Sequence, residues 1–233
     1  MIPISDENPA RLKPIVTWAI ILACVVTFFW QLSFSEGDGE ALFFRFGFVP
    51  RNLFDSAVTQ TVYGIPLPWL TLITSMFMHG GFLHLGGNML YLWIFANNVE
   101  DAMGHVRYLA FYLVCGIAAA LAEGMVNPHS ALPMVGASGA ISGVLAAYVL
   151  IYPRARVTVI IPLGILLYPT KISAFYVVGF WFVLQLLNGV VATPGAPGTA
   201  WWAHVGGFAA GCLLTPFLSH FPLFGRHTRG PWG

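Results

Sequence analysis

The 233-residue chain is 58% hydrophobic and 8% charged, with a formal net charge of +1. Soluble domains carry about 25% charged residues, so a water-soluble globule is excluded, and the charge balance offers nothing to a nucleic-acid partner. The apolar residues run in continuous blocks rather than alternating, which predicts helices crossing about 30 Å of hydrocarbon and argues against a β-barrel.

In chain order, the first predicted span covers 14–32. It follows Asp6 and Glu7, is too long for a signal-peptide core and lacks a small-residue cleavage site, so it is expected to be retained. A long connection, 33–77, mixes charge with Phe43, Phe44, Phe46, Phe48 and Trp69, a composition suited to an outer membrane interface. Further spans follow at 82–99, 108–123, 136–152, 172–191 and 201–219. The expected architecture is therefore an all-α, polytopic membrane bundle of six helices. An N-terminal segment 1–13 and a C-terminal tail 221–233 flank a membrane unit at 14–220. Between the fourth and fifth spans, 157–168 is apolar but short and bracketed by Pro153, Pro162 and Pro169, so an interfacial loop is expected there.

Basic residues orient the bundle. With the N-terminus inside, Arg11, Lys13, Arg107, Arg154, Arg156, Lys171, Arg226 and Arg229 fall on the cytoplasmic side, leaving Arg45 and Arg51 outside. Both termini are expected in the cytoplasm. Cys24, Cys115 and Cys212 lie in different spans and read as small buried hydrophobes, not as a disulfide framework or metal site. Glu123 reads as an outer helix terminus, and Glu100-Asp101 as a solvated inner one.

Three polar groups then stand out, because intramembrane polar side chains are expensive. His84, Ser138 and His204 each lie early in a helix entering from the outer side, within roughly 10 Å of that end at 1.5 Å per residue. Gly139 and Gly143 form a small-residue stripe on the fourth helix, and Ala203, Gly207 and Gly211 form one on the sixth. If these stripes meet, Ser138 and His204 come within hydrogen-bond reach. Neutral imidazole can then take the serine proton, activating a weak nucleophile. No Asp or Glu lies at that depth, so a Ser-His dyad without a carboxylate is inferred. His84 and Asn88 share one helical face and can donate to an oxyanion, although alone they could equally be interhelical hydrogen-bonding glue. His79 either tunes that end of the site or simply occupies the interface. A zinc-protease His-Glu-x-x-His motif is absent, as are intramembrane aspartate pairs and phosphate-binding glycine loops.

At these residues the chain closely resembles the rhomboid family of intramembrane serine proteases. The match consists of His79-x4-His84-x3-Asn88, Gly136-x-Ser138-Gly139 and Ala203-His204-x-x-Gly207, in family order. The resemblance implies Ser138 as nucleophile, His204 as base, and His84 and Asn88 as oxyanion-hole donors. Gly136, Gly139, Gly207 and His79 would support them. It also implies transmembrane proteins as substrates, the lipid bilayer as surroundings, no metal or organic cofactor, and a structural role for Glu100. Oligomeric state stays open. The chain departs from the family where Trp69 is followed by Leu70 and Thr71 instead of an arginine. Some members carry a tyrosine one turn after the nucleophile that stacks under the catalytic histidine, and this chain has Ser142 at that position. A non-catalytic membrane-protein binder and a His-lined metal or haem carrier are the competing readings. A prokaryotic inner membrane is the expected location.

Overall fold

The computed structural model describes residues 1–54, 68–164, 166–193, 198–221 and 223. Gly195, Arg226, Arg229 and most of the 221–233 tail, on which sequence expectations fall, lie outside the described residues. The chain is predominantly helical. Helix α1 (Ile15–Gln31) shows how the bundle sorts its faces. Thr17, Ile20, Cys24, Phe28 and Gln31, at helical three- and four-residue spacing, are buried, whereas Leu22, Val26 and Phe29 are more than half exposed. An outward face this apolar would aggregate in water and suits lipid.

Among its described residues, the long first connection carries short helices, α2 (Glu36–Phe46), α3 (Pro50–Phe54) and α4 (Thr71–Thr74), with single 3₁₀ turns on either side of the last. The second predicted span is one continuous helical run. It comprises α5 (Phe82–Tyr91), a π-helical turn at Leu92–Ala96, and α6 (Asn97–Met103). Gly104, at φ +77, separates it from α7 (His105–Val126). Helix α8 (Ser138–Ile151) is the centre of the molecule, buried from Gly139 to Tyr148 among α7, α9 (Ala174–Val191) and α10 (Trp201–Leu218). Of all these, α7 and α9 are long and apolar enough to cross a membrane by length and composition. Helices α1 and α8 are apolar but shorter.

Two expectations need correction at the end of the bundle away from Ser138. The bundle is not all-α. The segment expected as an interfacial loop forms a β-hairpin, β2 (Arg156–Leu163) and β3 (Leu166–Ser173), turning at Gly164 with φ +64. A third strand, β1 (Ile2–Asp6), pairs antiparallel with β2, giving the order β1-β2-β3. The β-branched run Val157-Thr158-Val159-Ile160-Ile161 favours a pleated strand, with Val157 and Val159 fully buried against the helices. Pro162, which argues against a central strand, lies beyond the reach of β1, where β2 has only β3 beside it. The partner strand β1 is remote in sequence, so local patterning could not reveal the sheet.

Glu100-Asp101 is likewise not a solvated terminus. Glu100 has no exposed surface and accepts from Val16 N (3.0 Å), Thr17 N (2.8 Å), Thr17 Oγ1 (2.7 Å) and the His105 ring (2.5 Å). Asp101 accepts from the backbone N–H groups of Arg11 and Leu12. Glu100 thus satisfies two orphan donors in the first turn of α1, where no N-cap side chain does so, and Asp101 holds the segment leading into that helix. Asp6, in β1, accepts from Tyr148 Oη (2.6 Å) and Asn98 Nδ2 (3.0 Å). Burial pushes its carboxyl up to about 6.

Candidate active site

The site begins at a turn that only glycine can make. Gly136 has φ +122, and a Cβ there would sit 2.6 Å from His84 Nε2 and 3.6 Å from Asn88 Nδ2. Its N–H is held by the Ser75 carbonyl at 2.8 Å. The chain then enters α8, whose first residue is Ser138. The Gly-x-Ser spacing thus brings His84 and Asn88 close behind the backbone that carries the serine.

Glycine also brings the sixth predicted span against the fourth. A Cβ on Gly207 would land on the Gly139 carbonyl, and one on Gly211 would lie 2.6 Å from the Gly143 Cα. The two stripes read from the sequence therefore do meet, backbone against backbone. Their contact brings His204 Nε2 to 2.8 Å from Ser138 Oγ. His204 is buried, at 8% exposure. Glu123, at the end of α7, accepts from Ala203 N (3.2 Å) and Asn127 Nδ2 (2.6 Å), and so caps the first turn of the helix that bears His204.

Sequence reasoning missed the groups on the far side of the imidazole. Gln185 Oε1 lies 2.7 Å from His204 Nδ1, and the Trp181 ring is tilted beside the imidazole with centroids 5.8 Å apart. Trp201 meets it edge-on at 6.3 Å. Ser142, which replaces the expected stacking tyrosine, is fully buried and donates to the Ser138 carbonyl instead. The available signal was Gln185 itself, a polar side chain in a span rich in Val, Leu and Phe, with Trp181 one turn before it.

On the opposite side, the Gly80 N–H donates to His84 Nδ1 at 3.3 Å. Accepting there leaves the ring proton of a neutral His84 on Nε2, the atom nearest Gly136. Asn88 Nδ2 is buried and has no acceptor among the described protein atoms. Two N–H donors thus converge behind Ser138 with capacity to spare, as a developing oxyanion requires. His79 is enclosed by protein. It is 1% exposed, its backbone N–H and C=O are clamped by the Gln31 amide (3.1 Å each), and its ring stands edge-on to His84 at 5.2 Å. His79 thus abuts the site without facing Ser138.

A cavity of about 1280 Å³ opens over these groups, lined by His84, Asn88, Ser138, Trp181 and His204 and continuing along α9 past Val190. Among the described residues no group of three or more His, Cys, Asp or Glu side chains could hold a metal ion.

The chain is similar to known proteins over much of its length. The Rhomboid domain profile matches residues 66–221. The chain is 29% identical to Rhomboid-like protein 11, chloroplastic, of Arabidopsis thaliana over 164 residues, covering 66% of this chain and 54% of that protein. It is 25% identical to Rhomboid protease AarA of Providencia stuartii over 231 residues, covering 91% and 76%. It is also 29% identical to Inactive rhomboid protein 1 of Drosophila melanogaster over 160 residues, 68% of this chain but 10% of that protein. The chain therefore spans about half the length of the plant relative and a small part of the fly one.

Proposed function

The chain belongs to the rhomboid family of integral membrane proteins, and from that premise we propose that it is an intramembrane serine endopeptidase. Its substrates would be membrane proteins, cut within or beside a transmembrane helix. The observation that carries this reading is the 2.8 Å approach of His204 Nε2 to Ser138 Oγ. Neutral His204 accepts the serine proton as Oγ attacks the scissile carbonyl carbon. The charge that develops on the carbonyl oxygen is received by Asn88 Nδ2–H and His84 Nε2–H. The imidazolium then protonates the leaving amine, and the chain departs with a new N-terminus. Water enters from the cavity, gives a proton to His204 and adds to the acyl carbon; His204 then returns that proton to Ser138 Oγ as the ester C–O bond breaks, freeing the new C-terminal acid, which ionises, and the serine hydroxyl. A helical substrate hides its carbonyls in hydrogen bonds, so a segment that unwinds easily is the better substrate. No step calls for a metal or organic cofactor.

On the same reading, residues 14–220 form a six-helix membrane unit. The site then faces the outer side, and both termini and the β1-β2-β3 sheet lie in the cytoplasm of a prokaryotic cell. The inactive fly relative keeps a second reading open, a non-catalytic binder of membrane proteins. Labelling of the purified protein by a serine-directed fluorophosphonate discriminates the two. Labelling that Ser138→Ala abolishes, with cleavage of transmembrane substrates lost in parallel, supports the protease. A folded protein that neither labels nor cleaves any transmembrane substrate overturns it.

A further inference from the structure

We propose that Gln185 is a positioning residue that fixes the tautomer of His204. The proposal rests on the reading of Ser138 and His204 as nucleophile and base. A neutral imidazole can serve Ser138 only if its Nε2 carries a lone pair, which requires the ring proton to be on Nδ1. The sequence supplies no Asp or Glu for Nδ1, and the amide of Gln185 meets it instead.

The orientation of that amide follows from its own partners. Gln185 Nε2 lies 3.3 Å from the Trp181 carbonyl one turn earlier in α9, a group that can only accept. The NH₂ end must therefore point at Trp181, and Oε1 is the end left facing His204 at 2.7 Å. An amide oxygen can only accept, so Nδ1 must donate. Each hydrogen bond fixes the next. The Trp181 carbonyl accepts a hydrogen bond from Gln185 Nε2, Gln185 Oε1 accepts one from His204 Nδ1, and His204 Nε2 is left to accept one from Ser138 Oγ at 2.8 Å. Gln185 is 7% exposed, on a helix whose neighbouring Val183, Leu184 and Leu186 are each more than a third exposed. A buried amide in an apolar span is costly unless its hydrogen bonds are made. Trp181, from the same helix, flanks the imidazole and restricts its rotation. One helix thus supplies both restraints, where Ser142 offers none.

The test uses the full chain labelled with ¹⁵N-histidine in lipid bicelles, with the His204 signal assigned by its loss in His204→Ala. Nitrogen shifts distinguish Nδ1–H from Nε2–H imidazole, and cleavage of a transmembrane substrate is followed in parallel. The wild type is expected to show Nδ1–H at His204. Gln185→Met, isosteric without an acceptor, should lose that preference and lower kcat roughly 10- to 100-fold with little change in KM. Gln185→Glu, which keeps an acceptor oxygen, should restore both the tautomer and most of the rate. Wild-type His204 protonated on Nε2 overturns the proposal, as does a Gln185→Met enzyme that keeps both the Nδ1–H signature and the wild-type kcat. A wild type that shows Nδ1–H yet neither labels nor cleaves overturns the protease reading and leaves the hold of Gln185 on His204 intact.

Discussion

Adding one methyl group at Gly136 tests the link between backbone conformation and chemistry most directly. Gly136→Ala carries two separable penalties. The first is conformational: φ +122 is a region that L side chains rarely adopt, and holding alanine there costs about 1–3 kcal/mol of stability. The second is steric. The new Cβ would lie 2.6 Å from His84 Nε2 and 2.8 Å from Cε1, whereas comfortable contacts are about 3.5–4.0 Å. The ring must retreat by about 1 Å, enough to spoil a catalytic hydrogen bond by roughly 10²-fold. Full loss of one oxyanion donor costs ~10²–10³ in kcat, about 2.7–4 kcal/mol. Cleavage kinetics on a transmembrane substrate and thermal unfolding in micelles read the two penalties independently. Because the steric penalty acts through His84, the double variant Gly136→Ala/His84→Ala should cleave no more slowly than His84→Ala alone. A Gly136→Ala enzyme with wild-type kcat, or a double variant in which the two losses simply multiply, would refute the reasoning.

Asn88→Ala should lower kcat by roughly one to three orders of magnitude without unfolding the protein. Unimpaired cleavage would remove Asn88 from the oxyanion assignment. Glu100→Ala should cost about 3–5 kcal/mol of stability in denaturant titration, since it leaves the α1 amides without their buried carboxylate partner. A change within about 1 kcal/mol would show that those amides find other acceptors. Asp6 gives a pH dependence whose direction follows from its raised carboxyl. A folded value of about 6 against an ordinary 3.8 means that the protonated form is favoured in the docked strand. Its stabilising contribution is therefore complete below about 4 and is lost as pH rises through about 6. Hydrogen exchange at residues 2–6, corrected for intrinsic rates, should show tighter docking at pH 5 than at pH 7, and Asp6→Asn should flatten the difference.

What could be read from the sequence follows the range of the interactions involved. The apolar blocks marked helices because each span satisfies its own backbone, and α1, α7, α8, α9 and α10 all fall where patterning puts them. The glycine stripes predicted the α8–α10 contact because close approach needs small residues on both faces, and Gly139 and Gly207 supply them. The three-stranded sheet was hidden because its central strand pairs with residues 2–6, which alone look like an unstructured lead-in. Glu100 was misread for the same reason. A carboxylate beside Asp101 looks solvated until α1 delivers Val16 and Thr17 to it. Gln185 lay in view as a costly residue, but nothing in its own helix named His204 as its partner. The sequence reading has a dyad without a carboxylate, and the group that meets His204 Nδ1 is the amide oxygen of Gln185. An uncharged amide that serves as a histidine's partner leaves no charge in the sequence to mark it.

The pairing of β1 with β2 also bears on how the chain is threaded. Ile2 lies opposite Ile160, with most of the helices between them in sequence. Two strands can join only if both are on the same side of the bilayer, so the chain between Asp6 and Arg156 must cross the membrane an even number of times. A single helix that failed to insert, or one inserted in excess, would strand β1 on the wrong side and leave the edge of β2 open. Because β1 is made first and its partner much later, the sheet closes only after α8 has been threaded. On the proposed membrane topology, closure of this small sheet would therefore require that parity.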